Sequence, residues 1–537
     1  MSADRRERIV VVGTGAAGLR AAERLRELNF DGELIMISEE RYRPYHRPAL
    51  TKQLLTGQIR PRDIALPVHT ELDAVWRYGT RASYLEPEEH LLHLPGGEQI
   101  RYDGLVIATG VQARHLAGAP RHDPRVHVIR TLPDAVAAQK AIAHSPGAVA
   151  VIGGGFISCE IASSARELGR EATIIVRDRL LDKVPGAGFG DAVAAMHRGH
   201  GVKVITQATV SHWSRTPDGV ALHLSTGQVV LAACVVLGVG GVPAVDWLRG
   251  SGLILDDGVM CDPTCHAVGA ENIVVAGDVA RWPNLLFDSV PRRVEHWLNA
   301  IEMGRAAAEN LLVGRENAQP FTPLPRFWSD QHGIRIQAAG IPALAQDTVP
   351  LAGSVTVGHR VTGYVSGGSL VGVVAWDSPR GMLRWSSELD NQLAEGMNRR
   401  LAVRAKQQQQ RPVPTPPRPE PTFAETETTI MPTVTETTVM PNVDVTSIME
   451  DLRVPDFVPD MRTLRPAEQS MPRMRPVQPG PYLQVPDFVP DMQAYGPAEQ
   501  SWPRMRPVAP PPDLAMAKNR YPPDYRPRAP ELRDLFR

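Results

Sequence analysis

Short apolar runs, punctuated by glycine and polar turns, organise the first 400 residues. Arg8 to Val12 (RIVVV) is a β-branched run and predicts a strand. Leu19, Ala21, Ala22 and Leu25 follow at helical spacing, and Glu33 to Ser38 (ELIMIS) reads as a second strand. The same order returns later. Ala148 to Ile152 is a strand, a helix runs to Leu168, and Ala172 to Val176 is a strand again. Leu105 to Ile107 runs into Ala108-Thr109-Gly110, and Ile273 to Val275 runs into Ala276-Gly277-Asp278. Farther on, Ile334 to Ala339, Val355 to Val357, Arg360 to Val365 and Leu370 to Ala375 read as strands, and Met382 to Gln392 as a helix.

Glycines sit where the first strand of each unit meets its helix. Gly13, Gly15 and Gly18 form one strand–turn–helix signature. Such a turn lets the backbone approach a pyrophosphate, and the helix N-terminus adds N–H donors and positive potential. The strand after it ends in Glu39-Glu40, where an acidic side chain can bind adenosine ribose hydroxyls. The second signature is Gly153-Gly154-Gly155, with Ser158 in the third glycine position. Two dinucleotide folds in one chain imply two dinucleotides. Asp278, a short acid at a strand's carboxyl end, can accept from a ligand hydroxyl, since ligands of open α/β sheets gather there.

Composition narrows the class. The 537 residues suggest two to four units. A net charge of −1 gives no electrostatic case for nucleic acid or an anionic membrane. No run of about 18 apolar residues offers a membrane span. Four cysteines do not make a disulfide framework, so the expectation is a reduced, cytoplasmic protein. Cys159 and Cys234 read as core thiols. Cys261 and Cys265 lack a second ligand pair at zinc spacing, so no metal site is expected. No nucleophile constellation stands out among the 16 histidines. Of the 49 prolines, more than half follow Arg411, dividing the chain into a folded body and a Pro-rich tail.

The ordered set of glycine turn, Ala-Thr-Gly, second glycine turn and Ala-Gly-Asp resembles the two-dinucleotide-fold flavoprotein reductases. That family's disulfide reductases carry a redox cysteine pair soon after the first unit; here the region reads Tyr45-His46-Arg47-Pro48-Ala49-Leu50-Thr51-Lys52. This segment, with Arg293-Val294-Glu295-His296-Trp297 and Phe327-Trp328-Ser329-Asp330-Gln331, resembles the ferredoxin reductases of oxygenase systems. The likeness runs from about residue 7 to about residue 395.

The resemblance implies an α/β fold. Two Rossmann-like dinucleotide-binding domains hold FAD (residues 1–115 and 256–318) and NAD(P)H (116–255). An α+β C-terminal interface domain (319–398) follows; beyond the likeness, the Pro-rich composition of residues 399–537 reads as a disordered tail. The resemblance implies FAD contacts from Gly13, Gly15, Gly18, Glu39, Arg47, Lys52, Ala108, Thr109, Gly110, Asp278, Glu295, His296 and Trp297. Lys52 and Glu160 correspond to an ion pair beside the flavin's reactive face. Trp328 carries two readings, a flavin neighbour or a core aromatic. The nicotinamide side draws on Gly153, Gly155, Ser158, Glu160, Arg177 and Arg179. The family's second nicotinamide-fold strand usually ends in Glu for NADH. Arg177 stands there instead and can pair with a 2′-phosphate, a lean toward NADPH; Asp178 is the alternative in a shifted register.

The implied activity is hydride transfer from NAD(P)H to FAD, then electron delivery to a ferredoxin-type iron–sulfur protein serving an oxygenase. Two alternatives stand: a quinone or dioxygen as acceptor, or a redox-sensing or scaffolding module working through its tail. The tail carries a repeat at a 31-residue spacing. Val454 to Met461 recurs as Val485 to Met492, a pattern open to an unknown docking protein or to a duplicated neutral linker.

Overall fold

The structure is a computed structural model describing residues 6–144, 147–182, 187–352 and 360–409. The strand expected at Val355 to Val357 and the 31-residue repeat lie outside the described residues.

The first sheet has five parallel strands in the order Ile273–Val275, Gly104–Ile107, Arg8–Val12, Glu33–Ser38, Ala74–Tyr78. Its central strand is β-branched because both faces are covered, and Val10 and Val11 are fully buried. Helix α1 (Ala16–Glu27) leaves that strand through the first glycine turn and buries Leu19, Ala21, Ala22 and Leu25.

The second sheet is also five-stranded and parallel, ordered Val202–Ile205, Ala172–Ile175, Val149–Ile152, Cys234–Leu237, Val126–Val128. Helices α2 (Leu132–His144), α3 (Phe156–Glu167) and α4 (Ala187–Gly199) accompany it. Cys159 and Cys234 are buried in its core, as the sequence suggests. The chain then returns to the first sheet, and α5 (Trp297–Val313) lies against α1. The crossing is close. A Cβ on Gly304 of α5 would lie 2.2 Å from the Ala17 carbonyl oxygen.

A third, antiparallel sheet has the order Arg326–Gln331, Ile334–Gly340, Ser369–Trp376, Arg360–Ser366, Asp347–Ala352. Its Ile336, Ala338, Tyr364, Val374 and Trp376 share one apolar core with the second sheet. Helix α6 (Pro379–Gln409) covers it with Met382, Trp385, Leu389 and Leu393, an i, i+3, i+4 stripe. Each such side chain contributes about 1.5–3 kcal/mol on burial. The helix expected over 382–392 therefore extends to Gln409, past the expected domain boundary at 398. Its last turns are built from Ala, Arg, Lys and Gln, strong helix formers that read in sequence as the start of a low-complexity stretch.

Candidate active site

The two glycine turns are built alike. In the first, Gly13 donates its N–H to Ile37 O at 2.9 Å, and in the second Gly153 donates to Ile175 O at 2.9 Å. Both first glycines have left-handed φ, +100° and +128°. A Cβ on Gly13 would lie 2.3 Å from Ala108 O, and one on Gly153 would lie 2.2 Å from Gly238 O. These glycines are required by close strand packing. Gly15 and Gly155 differ: a Cβ there would meet nothing within 4 Å. Each is the N-cap of its helix, and neither α1 nor α3 has a side-chain cap or an acidic residue in its first turn. Open space beside uncapped N–H donors suits an anionic diphosphate. In the third position, a Cβ on Gly18 would lie 1.9 Å from Gly13 O. Ser158 instead donates its hydroxyl to Gly238 O at 3.1 Å and is fully buried.

Strand register resolves the acidic positions. Val12 pairs with Ile37 as Ile152 pairs with Ile175, so Glu39 and Arg177 occupy equivalent places two residues beyond those partners. Glu39 is 58% exposed, with Arg81 at 3.8 Å. Glu40 instead accepts from Tyr45 and Arg47, holding the 41–47 loop. Arg47 also donates to the Arg130 carbonyl oxygen at 2.9 Å. Arg177 is 80% exposed and pairs with its neighbour Asp178, at 2.9 Å. Arg179 is exposed as well, near Asp182 at 3.9 Å.

The carboxyl edge of the first sheet carries Ala108-Thr109-Gly110 and Asp278. Thr109 donates to Ala244 O at 3.0 Å. Arg130, which the sequence did not single out, joins the two segments, donating to Val111 O and to Asp278, each at 3.0 Å. A Cβ on Gly110 would sit 3.6 Å from its guanidinium.

The buried charge lies between the sheets. Lys52 Nζ stands 2.8 Å from Glu160 Oε2, with side-chain exposures of 12% and 6%. Glu160 also accepts from Thr51 Oγ1 at 2.6 Å and from Ser329 Oγ at 2.7 Å. Lysine, carboxylate and hydroxyls come from the 47–56 loop, α3 and the third sheet, so three parts of the chain converge here. A neighbouring groove of about 410 Å³ is lined by His46, Pro48, Lys52, Phe327, Trp328 and Arg335, among others. Trp328 is half-buried at this groove. Trp297 opens α5 and meets His46 edge-on at 5.0 Å. His296 packs on Phe327 at 4.8 Å, and burial pushes its pKa down to about 4. Its Nδ1 is buried without a hydrogen-bond partner among the described residues. Glu295 is held by Arg293 at 2.7 Å.

Residues 7–304 match the model of the pyridine nucleotide-disulphide oxidoreductase family. The chain belongs to that family. Residues 326–394 match the reductase C-terminal domain, a span that runs from the third sheet through the first half of α6. The chain is 32% identical over 375 residues to the ferredoxin–NAD(+) reductase subunit of a Pseudomonas putida benzene 1,2-dioxygenase system, covering 69% of this chain and 90% of that one. It is 30% identical over 383 residues to rhodocoxin reductase of Rhodococcus erythropolis, covering 69% and 87%. Among solved structures, the covalent putidaredoxin reductase–putidaredoxin complex superposes with a TM-score of 0.67 at 25% identity, covering 72% of this chain and 93% of that one. This pyridine nucleotide-disulphide oxidoreductase carries no cysteine at its charged site: all four cysteines are buried and free. No helix among the described residues is long and apolar enough to cross a membrane.

Proposed function

We propose that this oxidoreductase is an FAD-dependent NAD(P)H:ferredoxin reductase serving an oxygenase through a small iron–sulfur protein. The observation that carries the reading is the buried Lys52–Glu160 pair, in a pyridine nucleotide oxidoreductase that also has two matching glycine turns. The first sheet and α5 (residues 1–115 and 256–318) make the FAD domain. Residues 116–255 make the NAD(P)H domain, and residues 319–398 the interface domain; each dinucleotide domain is Rossmann-like. We place the protein in the cytoplasm.

The residues present fit FAD. Gly15 leaves room for a diphosphate at the α1 N-terminus, and Glu39 faces outward at the ribose position. Asp278, fixed by Arg130, accepts from a polyol chain, and the orphaned Nδ1 of His296 supplies one more polar contact. FAD held there would supply hydride acceptance and one-electron donation. The chain's own part is to bind, orient and exclude water. Lys52 would hold a positive charge at the flavin site, where Coulomb attraction would favour negative charge on a bound ring. Glu160 keeps that ammonium fixed, and Trp328 and Phe327 wall the groove. At the other turn, Gly153 and Gly155 receive the nicotinamide dinucleotide; Ser158, expected among these contacts, is instead fully buried with its hydroxyl on Gly238 O and supports the turn from behind. Arg177, at the register place of Glu39, pairs with a 2′-phosphate and favours NADPH.

Anaerobic titration with NADPH, repeated with NADH, tests both parts. Bleaching of a flavin band is expected, with NADPH the better donor. A flavin that neither reduces ends the reading, and a clear NADH preference ends the Arg177 assignment. Faster turnover with a quinone than with any ferredoxin would reassign the acceptor.

A further inference from the structure

The hydroxyl that reaches Glu160 from the third sheet is itself held by a buried chain of side chains. Ser329 Oγ donates to Glu160 Oε1 at 2.7 Å, and Gln331 Nε2 donates to Ser329 Oγ at 2.9 Å. Gln331 Oε1 faces His197 Nε2 at 3.0 Å, and His197 Nδ1 faces His332 Nε2 at 3.0 Å. Ser329, Gln331 and His197 are 0%, 1% and 0% exposed. His200 stacks flat on His332, with ring centroids 4.3 Å apart.

Donor counting fixes the direction of every bond. A carboxylate only accepts, so the Ser329 proton points to Glu160. Ser329 Oγ must then accept, which turns the Gln331 amide nitrogen toward Ser329 and its oxygen toward His197. His197 must therefore carry a proton on Nε2. Burial, helped by His200, pushes its pKa down to about 4, so the ring is neutral and Nδ1 is bare. That nitrogen accepts from His332 Nε2–H. His332 is likewise held neutral by burial beside His197, His200 and Arg166.

We propose that His197 is a positioning residue for Glu160, and that its Nε2–H tautomer, transmitted through Gln331 and Ser329, locks the carboxylate in place. The proposal rests on the reading of Lys52–Glu160 as the flavin-side pair. The opposite tautomer would turn the Gln331 amide over. Ser329 would then give its proton to Gln331 Oε1, and Glu160 Oε1 would lose its donor. The carboxylate would be held by Oε2 alone, through Thr51 and Lys52. An amide in the path hands on orientation, not protons, so the chain is a strut and not a proton conduit.

Nitrogen NMR of ¹⁵N-histidine in the full FAD-loaded chain reads the tautomer. His197 is expected neutral, protonated on Nε2. Glu160→Gln is expected to shift its nitrogens, because the introduced amide can donate to Ser329 and reverse the chain. A proton on Nδ1, or no response to Glu160→Gln, overturns the proposal. Single-turnover flavin reduction gives the second arm. Ser329→Ala and His197→Leu should each slow reduction roughly three- to tenfold, the scale of one buried hydrogen bond, at unchanged nicotinamide affinity. The double variant should be no slower than either single one. His197→Gln, which keeps a nitrogen donor at similar reach, should restore the rate. Multiplying effects, or a His197→Leu rate equal to the parent's, overturn it. If His197→Leu fails to fold, His197→Gln and Ser329→Ala carry the comparison: a parental rate in Ser329→Ala overturns the proposal. If no flavin is reduced at all, the reductase reading fails, and the NMR arm alone judges the strut.

Discussion

The two parallel sheets repeat one design and differ at two positions. Around Gly13 and Gly153 the hydrogen bonds match, and each turn leaves its middle glycine open. In the first sheet, Gly18 lets the α1 backbone touch the turn, and Glu39 ends the second strand. In the second sheet, Ser158 fills that gap with a hydroxyl bonded to Gly238, and Arg177 replaces the acid. The scaffold tolerates a small side chain if its polar atom finds a partner. The charge at the strand end is free to change, because that residue faces solvent and its ion pair is an exposed one.

The largest effects separate fold from ligand at each turn. Gly13→Ala and Gly153→Ala drive a Cβ into a backbone carbonyl at a left-handed φ. Each should cost several kcal/mol, roughly the range of overpacked, strained sites, read as a drop in Tm. Gly15→Ala and Gly155→Ala should leave Tm nearly unchanged; the first should weaken FAD retention and the second nicotinamide binding. If Gly15→Ala lowered nicotinamide affinity alone, the assignment of the sheets would be reversed.

Next comes the pair between the sheets. Glu160→Ala leaves the Lys52 ammonium buried without its partner, which costs about 3–5 kcal/mol. Flavin reduction should fall at least tenfold by stopped flow. A parental rate would confine the pair to a structural role.

A smaller effect is expected at the strand end. Arg177→Glu restores the acid of the first sheet and should move the NADPH-to-NADH ratio of kcat/KM about tenfold toward NADH. Its exposed pairing with Asp178 makes the change in stability less than about 1 kcal/mol. Smallest is Ser158→Gly, which removes one hydroxyl bond to Gly238. It should lower stability by about 1 kcal/mol or less, with FAD content unchanged.

Much of this site was legible in the sequence because it is local. The glycine turns, the Ala-Thr-Gly and Gly-Asp strand ends and the family likeness all sit within short windows. The Lys52–Glu160 pair was reachable only through the resemblance, since 108 positions separate the two. Arg130 was missed because its meaning lies in Asp278, far along the chain. For the same reason Thr51 and Gln331 stood in the resembling segments without a role, and His197 and His332 were not singled out. Three different elements bring them together, and no spacing rule joins them. The choice between Glu39 and Glu40 needed side-chain partners, which adjacent glutamates do not reveal.

The order of the strands also has a consequence for synthesis. All five strands of the second sheet fall between residues 126 and 237. The first sheet, begun at Arg8, gains its edge strand only at Ile273–Val275. From Ile107 to Ile273, a ribosome adding about 10 residues per second needs on the order of 17 s. During that interval the apolar strand Gly104–Ile107 has an unpaired edge. The later-made sheet can close first, and the nascent chain spends those seconds most exposed to association at the earlier one.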